Sequence, residues 1–558
     1  MIKYFLKQKS YIVLILILVV IEPSINSWMN FWLQRLFNTA KIGTDSALIA
    51  RMLTIGFLVW LSKRVIVFTS SILQSRFTCN IKYNIKNDIF SKLYEMDAAT
   101  AHERASSGEY ISIFTNDIAL LETRYIDRVI QLIANIISIV ILGTSFLALD
   151  RKLAIYILCF GVTTLFIPTI ASKILNEKSY EYSKRISWFT QKTKEYFSAY
   201  TTIKNYAVEN QIKERFDKVN SKTEDTRFDS DTSLSIANNI GSMLAWFMQL
   251  IAIGIGLTYV VKGEMLVGTV IAARSFASDL ADPLQSIVSN INSIKSVHTI
   301  LEKTRRLSEK NEVIDNKNPL SISAGTIEYR DVTVKVDNKI IVDHFSYSFE
   351  RGKKYLIVGP NGSGKSTIFK AIKNYINGIS GEIYINNVPV SRLTNGELAK
   401  LVSYSNESVS TFTGSVLDNI VLFREECVSN LESAINSSHM NLDLQKIIHD
   451  ANDNISSGER RKIEIARSLM NPYSMLIFDE VTSTLDTETA YEIEQMVLGY
   501  KDKTVIFISH NFSGKLVYEY DDILLIDNGR LIDHGKYDDL VKRNQYFKHI
   551  CEVKFGRI

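Results

Sequence analysis

The stretch Gly359-Pro360-Asn361-Gly362-Ser363-Gly364-Lys365-Ser366-Thr367 decides how this chain is read. It fits the pattern G-x-x-x-x-G-K-[ST], follows the apolar run Tyr355 to Val358 and precedes a helix-forming run, Lys365 to Asn374. A buried strand, a glycine-rich loop and a helix in that order is the setting the pattern requires. Gly359, Gly362 and Gly364 let the backbone curl until successive N–H groups converge, and the helix adds the positive end of its dipole. The occupant must be an anion. Lys365 is placed to reach β- and γ-phosphates and the Ser366 hydroxyl to ligate Mg²⁺, with Asn361, Ser363 and Thr367 completing the nucleotide site.

Working outward, Gly381 to Val390 reads as a strand pair with Asn386-Asn387 at its turn. Ser474 to Phe478 is an apolar strand ending in Asp479-Glu480, and Thr504 to Ile508 is another, ending in Ser509-His510. Two carboxylates at a strand end beside a phosphate loop have separate tasks. Asp479 is suited to hold Mg²⁺ through water, and Glu480 to orient or deprotonate an attacking water. His510 stands where it can contact a γ-phosphate.

The chain has 558 residues, enough for at least two domains. Its formal net charge of +4 gives no electrostatic support for nucleic-acid binding. Cys79, Cys159, Cys427 and Cys551 lie far apart, which argues against a disulfide framework or a zinc site and suits a cytoplasmic setting for the soluble half.

The N-terminal half reads as a membrane domain. Six apolar spans are expected at 11–35, 47–70, 126–149, 153–174, 236–261 and 266–292, each near the roughly 20 residues a bilayer core requires. The first is not a signal peptide, because no small-residue cleavage site follows and it runs on to Trp28 and Trp32. The second and fourth connections are long and basic, with Arg76, Lys82 and Lys86 in one and Lys178, Lys184 and Lys192 in the other. Both termini are therefore expected in the cytoplasm. These connections keep helical apolar spacing, as at Ile81, Ile85 and Ile89, so the helices should extend well beyond the bilayer.

Span six carries Arg274, Asp279 and Asp282. At about 100° per residue, Arg274, Ser278, Asp282, Gln285, Ser289 and Asn292 share one arc of roughly 80°. An intramembrane charge normally faces water or a partner, so Arg274, Ser278, Asp282 and Gln285 are the candidate wall of a substrate cavity, with Glu22 of span one a weaker parallel. The alternative is polar packing, with Arg274 neutralised by an aspartate.

Taken together, GPNGSGKST, ISSGERRKIEIARSLM, MLIFDE, STLD and ISH resemble the Walker A, signature, Walker B, D-loop and switch-histidine motifs of the ATP-binding cassette (ABC) transporters. Six spans ahead of them resemble the exporter-type half transporter, and SSGEYISIFTND and EYFSAYTTIKNYAVEN resemble the segments flanking its coupling helices. The resemblance covers essentially the whole chain. It implies an all-α six-helix transmembrane domain with long cytosolic extensions (1–305), a linker (306–320), and an α/β P-loop ATPase domain with an antiparallel β subdomain and a helical subdomain (321–558). It also implies ATP and Mg²⁺ as cofactors, a second half-transporter subunit, a multi-pass place in the cytoplasmic membrane of a bacterium, and a transported substrate. In such a dimer, Ser456, Ser457, Gly458 and Asp486 of one subunit would help close the ATP site of the other.

Several positions depart from the family pattern. Val336 stands where an adenine-stacking aromatic is expected. Glu407, or Asn406 one residue earlier, replaces the Q-loop glutamine as a metal candidate, the signature reads ISSGE, and 419–455 is short for a helical subdomain. Retention of Glu480 and His510 favours turnover, as in an ATP-driven exporter or flippase of peptides, lipids or other amphipathic compounds, over an ATP-gated channel or regulatory subunit; an importer of similar architecture is a third and smaller alternative, since the motifs do not set transport direction. No leader-trimming peptidase domain is expected ahead of span one.

Overall fold

The computed structural model of the protein describes residues 1–558 except 41–44, 97–99, 102–106, 164–165, 309–324, 337–338, 374–375, 406–408, 425–430, 441, 450–453, 471–472, 484, 510–511, 513 and 556–558. The chain divides into two compact units: Met1–Lys92 with Gly108–Glu309, and Leu93–Ser107 with Lys310–Ile558. The proposed linker lies almost wholly outside the described residues.

The first unit is built from helices α1 (Ile2–Leu6), α2 (Lys9–Thr39), α3 (Ser46–Glu95), α4 (Gly108–Leu149), α5 (Arg151–Thr163), α6 (Phe166–Ser198), α7 (Tyr200–Asn205), α8 (Glu209–Val261), α9 (Val267–Ser296) and α10 (His298–Ser308). Helices α2, α3, α4 and α8 are long and apolar enough to cross a membrane. A helix satisfies its own backbone polar groups, which hydrocarbon cannot do, so an apolar run of this length adopts it. With 50 and 53 residues, α3 and α8 are each more than twice as long as a bilayer core about 30 Å thick, at about 1.5 Å rise per residue. Helix α9 is not among the four; Arg274, Asp279 and Asp282 stand inside it. The junction of α5 and α6 falls on 164–165, outside the described residues.

Two cores hold this unit. Ile81, Ile85 and Ile89 of α3 are fully buried with Ile113, Ile118 and Ile126 of α4, so the four-residue spacing seen in the sequence is a packed seam. Two π-helical turns, Ile113–Asp117 and Glu122–Ile126, interrupt α4 along it. The other core joins Phe146 of α4, Ile157 of α5, Met248 of α8 and the small stripe Ala273, Ala277 and Ala281 of α9 around Phe276. Phe146 stacks on Phe276 at 5.3 Å and Phe31 meets it edge-on at 5.7 Å.

The second unit contains β1 (Ile327–Val336), β2 (Lys339–Phe349), β3 (Lys354–Val358), α11 (Lys365–Ile372), β4 (Ile379–Ile385), β5 (Val388–Pro389), α12 (Asn395–Leu401) and β6 (Val402–Ser405). It continues through β7 (Gly414–Ser415), α13 (Val416–Val421), α14 (Leu431–Ser437), β8 (Ile447–Ile448), α15 (Ser457–Met470), β9 (Met475–Asp479), α16 (Thr487–Leu498) and β10 (Thr504–Ile508). The elements β11 (Asp522–Asp527), β12 (Arg530–Gly535), α17 (Tyr537–Arg543) and α18 (Gln545–Phe555) close it.

Strands β2-β1-β4-β5 form an antiparallel sheet, with Asn386 and Asn387 at positive φ in the predicted turn. The six-stranded sheet runs β12-β11-β3-β10-β9-β6, parallel except at the β11·β12 edge. All five residues of β3, β9 and β10 are buried, as expected where helices and a second sheet cover both faces. This order gathers the carboxyl ends of β3, β9 and β10 on one edge, which is where parallel sheets bind ligands.

Candidate functional site

The loop after β3 is shaped by glycine. Gly364 caps α11 in the left-handed region (φ 92°), and a Cβ there would stand 2.6 Å from the Ile341 carbonyl. A Cβ on Gly359 would stand 2.0 Å from Ile526 O. Larger residues at either position would push the loop off the sheet edge. Lys365 follows, only 5 % exposed, with its Nζ donating to the carbonyls of Gly359 and Pro360, both at 2.8 Å. Burial pushes its ammonium below the ordinary lysine range, against the pull of Glu480 and Asp479. Asn361 and Gly362 are exposed at the tip. Ser363 Oγ is buried without a hydrogen-bond partner among the described residues, an orphan that fits a loop made for an anion.

Beside the loop, Ser366 Oγ donates to Asp479 Oδ1 at 2.9 Å, which joins the first turn of α11 to the end of β9. Asp479 is 4 % exposed and makes no ion pair among the described residues. Two hard oxygen donors side by side, one of them a buried carboxylate without a direct ion pair, suit Mg²⁺. The other Asp479 oxygen, Oδ2, accepts from the Tyr404 hydroxyl at 2.6 Å. No motif in the sequence singled out Tyr404; its only sign is a polar aromatic three residues before Glu407.

Glu480 has left-handed backbone (φ 53°), uncommon outside glycine. Its N–H donates to Ile508 O at 2.9 Å, and its carbonyl accepts from Ser483 N at 3.3 Å and Ser483 Oγ at 2.8 Å. Bonds on both sides hold this conformation and place Glu480 between the ends of β9 and β10. Glu407, Asn406 and His510 lie outside the described residues.

Ser456 and Glu459 form a reciprocal cap at the start of α15: Ser456 N donates to Glu459 Oε2 at 2.6 Å, and Glu459 N to Ser456 Oγ at 3.1 Å. That backbone bond keeps the Glu459 carboxyl below its usual range. Ser456 and Ser457 are exposed and Gly458 half-exposed. Asp486 caps α16, accepting from Thr489 N at 2.9 Å. No hydrogen bond among the described residues joins these four residues to the phosphate loop.

In the membrane unit, Arg274, Ser278 and Asp282 lie exposed on one side of α9, and neither charge makes an ion pair among the described residues. Gln285 is turned toward α8, where its Nε2 donates to Gly241 O at 2.8 Å. Glu22 is half-buried on α2. Asp279 takes the polar packing contact, accepting from Asn30 Nδ2 at 2.9 Å. Gln34 to Thr269 at 3.0 Å and Gly268 N to Asn38 at 3.0 Å extend this α2–α9 seam.

Comparison with known proteins gives a consistent answer. Residues 11–284 match the family model of the ABC transporter transmembrane region, and 342–483 that of the ABC transporter. The chain is 23% identical to the lactococcin-A transport/processing ATP-binding protein of Lactococcus lactis, over 98% of this chain and 77% of that protein. It is also 23% identical to an ATP-dependent lipid A-core flippase of Vibrio parahaemolyticus, over 98% of this chain and 96% of that protein. A solved bacterial Atm1-family ABC exporter with ATP bound superposes with a TM-score of 0.85 at 18% identity, covering 98% of this chain and 99% of the other.

Proposed function

Given that this chain belongs to the ATP-binding cassette transporter family, and so couples ATP hydrolysis to transport across a membrane, we propose that it is an exporter or flippase of an amphipathic compound. The observation that carries the reading is the junction of Ser366 with Asp479 at the mouth of a phosphate loop whose lysine is already buried and held. Two relatives matched over 98% of this chain carry a lactococcin-A transport/processing name and a lipid A-core flippase name, and a peptide or lipid cargo is the class we take from them.

Lys365 and the first-turn amides of α11 would bind the phosphates of ATP. Ser366 and Asp479, with Glu407, would hold Mg²⁺, which when bound neutralises phosphate charge. Glu480, its backbone fixed between β9 and β10, is the base that accepts a proton from the attacking water, and His510 the γ-phosphate contact. The exposed Ser456 and Ser457 and the half-exposed Gly458 would complete the site of a second copy, as would Asp486 at the D-loop, and a homodimer with two composite sites is the simplest assembly. With the six spans expected from the sequence, both termini and the ATPase unit would lie in the cytoplasm of a bacterial cell, and the exposed Arg274, Ser278 and Asp282 would line the path of the cargo.

The test is ATPase activity of the protein reconstituted in liposomes while amphipathic peptides and lipids are added in turn. We expect one class to stimulate turnover several-fold in a saturable way. Turnover indifferent to every amphipath, alongside saturable stimulation by a small hydrophilic solute, would overturn the cargo class.

A further inference from the structure

Asp479 is held from both sides, and the second holder belongs to no motif. We propose that Tyr404 is a positioning residue for the metal-binding carboxylate, an inference that rests on the nucleotide-site reading above. The Tyr404 hydroxyl donates to Asp479 Oδ2 at 2.6 Å, the length of a charge-assisted O–H···O⁻ bond, while Ser366 occupies Oδ1 at 2.9 Å. Each carboxylate oxygen thus receives one donor, and the plane of the group is set.

The chemistry of the donors matters. A buried carboxylate needs partners, and a lysine or arginine would supply them at the cost of cancelling its charge. Two neutral hydroxyls satisfy the oxygens without neutralising the carboxylate that is to meet a cation. Each oxygen keeps a further lone pair.

The tyrosine is itself well anchored. It lies on β6, paired with Ile477 of β9, and its ring packs against the core beneath the sheet. The hydroxyl therefore meets Asp479 from a rigid strand rather than a loop. Outer partners of this kind typically set metal affinity within a factor of ten to a hundred.

The test uses full-length protein in detergent or lipid and Tyr404→Phe, which keeps the ring and removes only the hydroxyl. ATP binding is measured in EDTA and again across a Mg²⁺ titration, with Mn²⁺ binding followed by electron paramagnetic resonance in the presence of ATP. We expect the midpoints for Mg²⁺ and Mn²⁺ to rise about tenfold, with ATP affinity in EDTA and the thermal unfolding midpoint without nucleotide both unchanged. Midpoints within twofold of wild type would overturn the role. So would an equal loss of affinity in EDTA, which marks a packing defect. Wild-type protein lacking any metal-dependent ATP binding would overturn the nucleotide-site reading and this inference with it; a failure confined to the Tyr404→Phe comparison overturns the inference alone.

Discussion

The phosphate loop and the polar side of α9 both gather charge within apolar surroundings, and they do so by opposite means. At the loop every charged group has a fixed place: Lys365 between two carbonyls, Asp479 between two hydroxyls, Glu480 pinned by its own backbone. On α9, Arg274 and Asp282 stand exposed, without an ion pair among the described residues. The first arrangement is preorganised, so binding costs little reordering. The second leaves exposed side chains free to adjust, as the proposed cargo wall would require. Substitutions in the loop should therefore act almost all-or-none, and those on the stripe by degrees.

The largest effect should follow Lys365→Ala. Charge-assisted bonds to phosphate are worth about 1.5–3 kcal/mol each, so ATP affinity should fall roughly a hundredfold, read by equilibrium binding. A loss below tenfold would mean that the loop amides alone bind the nucleotide, and would weaken the contrast.

Glu494 offers a second test within the ATPase unit, away from the loop. Burial raises its carboxyl to about 6, against the hydrogen bond from Tyr520 at 2.5 Å. The folded pKa lies above the unfolded one, so the native state favours the proton. This contribution to stability is fully present below pH 4.5 and is lost as pH rises through about 6. Glu494→Gln should stabilise the fold at pH 7.5 by about 2 kcal/mol and do little at pH 4.5, as followed by chemical unfolding at the two pH values. A stabilisation independent of pH would show that ionisation is not its cause.

Arg274→Ala should lower cargo-stimulated ATPase and transport several-fold while basal turnover and expression hold. Asp282→Ala should do the same in smaller measure. If instead each single variant destabilises the protein and the double variant recovers part of the loss, the two charges are a structural pair and the stripe is no cargo wall.

These two regions also mark what a sequence can disclose. The loop was legible because its function depends on backbone shape, and any Cβ at Gly359 or Gly364 would stand 2.0 or 2.6 Å from a carbonyl oxygen. The Ile81, Ile85, Ile89 seam was legible because burial follows helical period. The faces of α9 were legible only in part. Period places Gln285 with Arg274, but the approach of Gly241 on α8 draws its amide inward. Likewise nothing in the spacing pairs Asp279 with Asn30, a contact between helices 249 residues apart in sequence. Tyr404 escaped for the same reason: its partner is chosen by the β6–β9 register, which no local pattern encodes.

The smallest expected effect concerns the base of the nucleotide. Val336 is 40% exposed at the end of β1 and offers no aromatic face. Stacking on an aromatic is worth about 1–3 kcal/mol, so without it ATP and GTP should be hydrolysed within a few-fold of one another. A strong preference for ATP would reveal another side chain against the adenine.

The central claim, that hydrolysis at Glu480 drives this transporter, is tested most directly by single-turnover ATP hydrolysis with Glu480→Gln in lipid. The amide cannot take the proton of the attacking water, and general-base loss commonly costs 10²–10⁴-fold. The account predicts hydrolysis slowed by at least a hundredfold, with ATP bound at wild-type affinity and an ATP-locked dimer accumulating. Turnover within a few-fold of wild type would contradict it and move the catalytic base elsewhere.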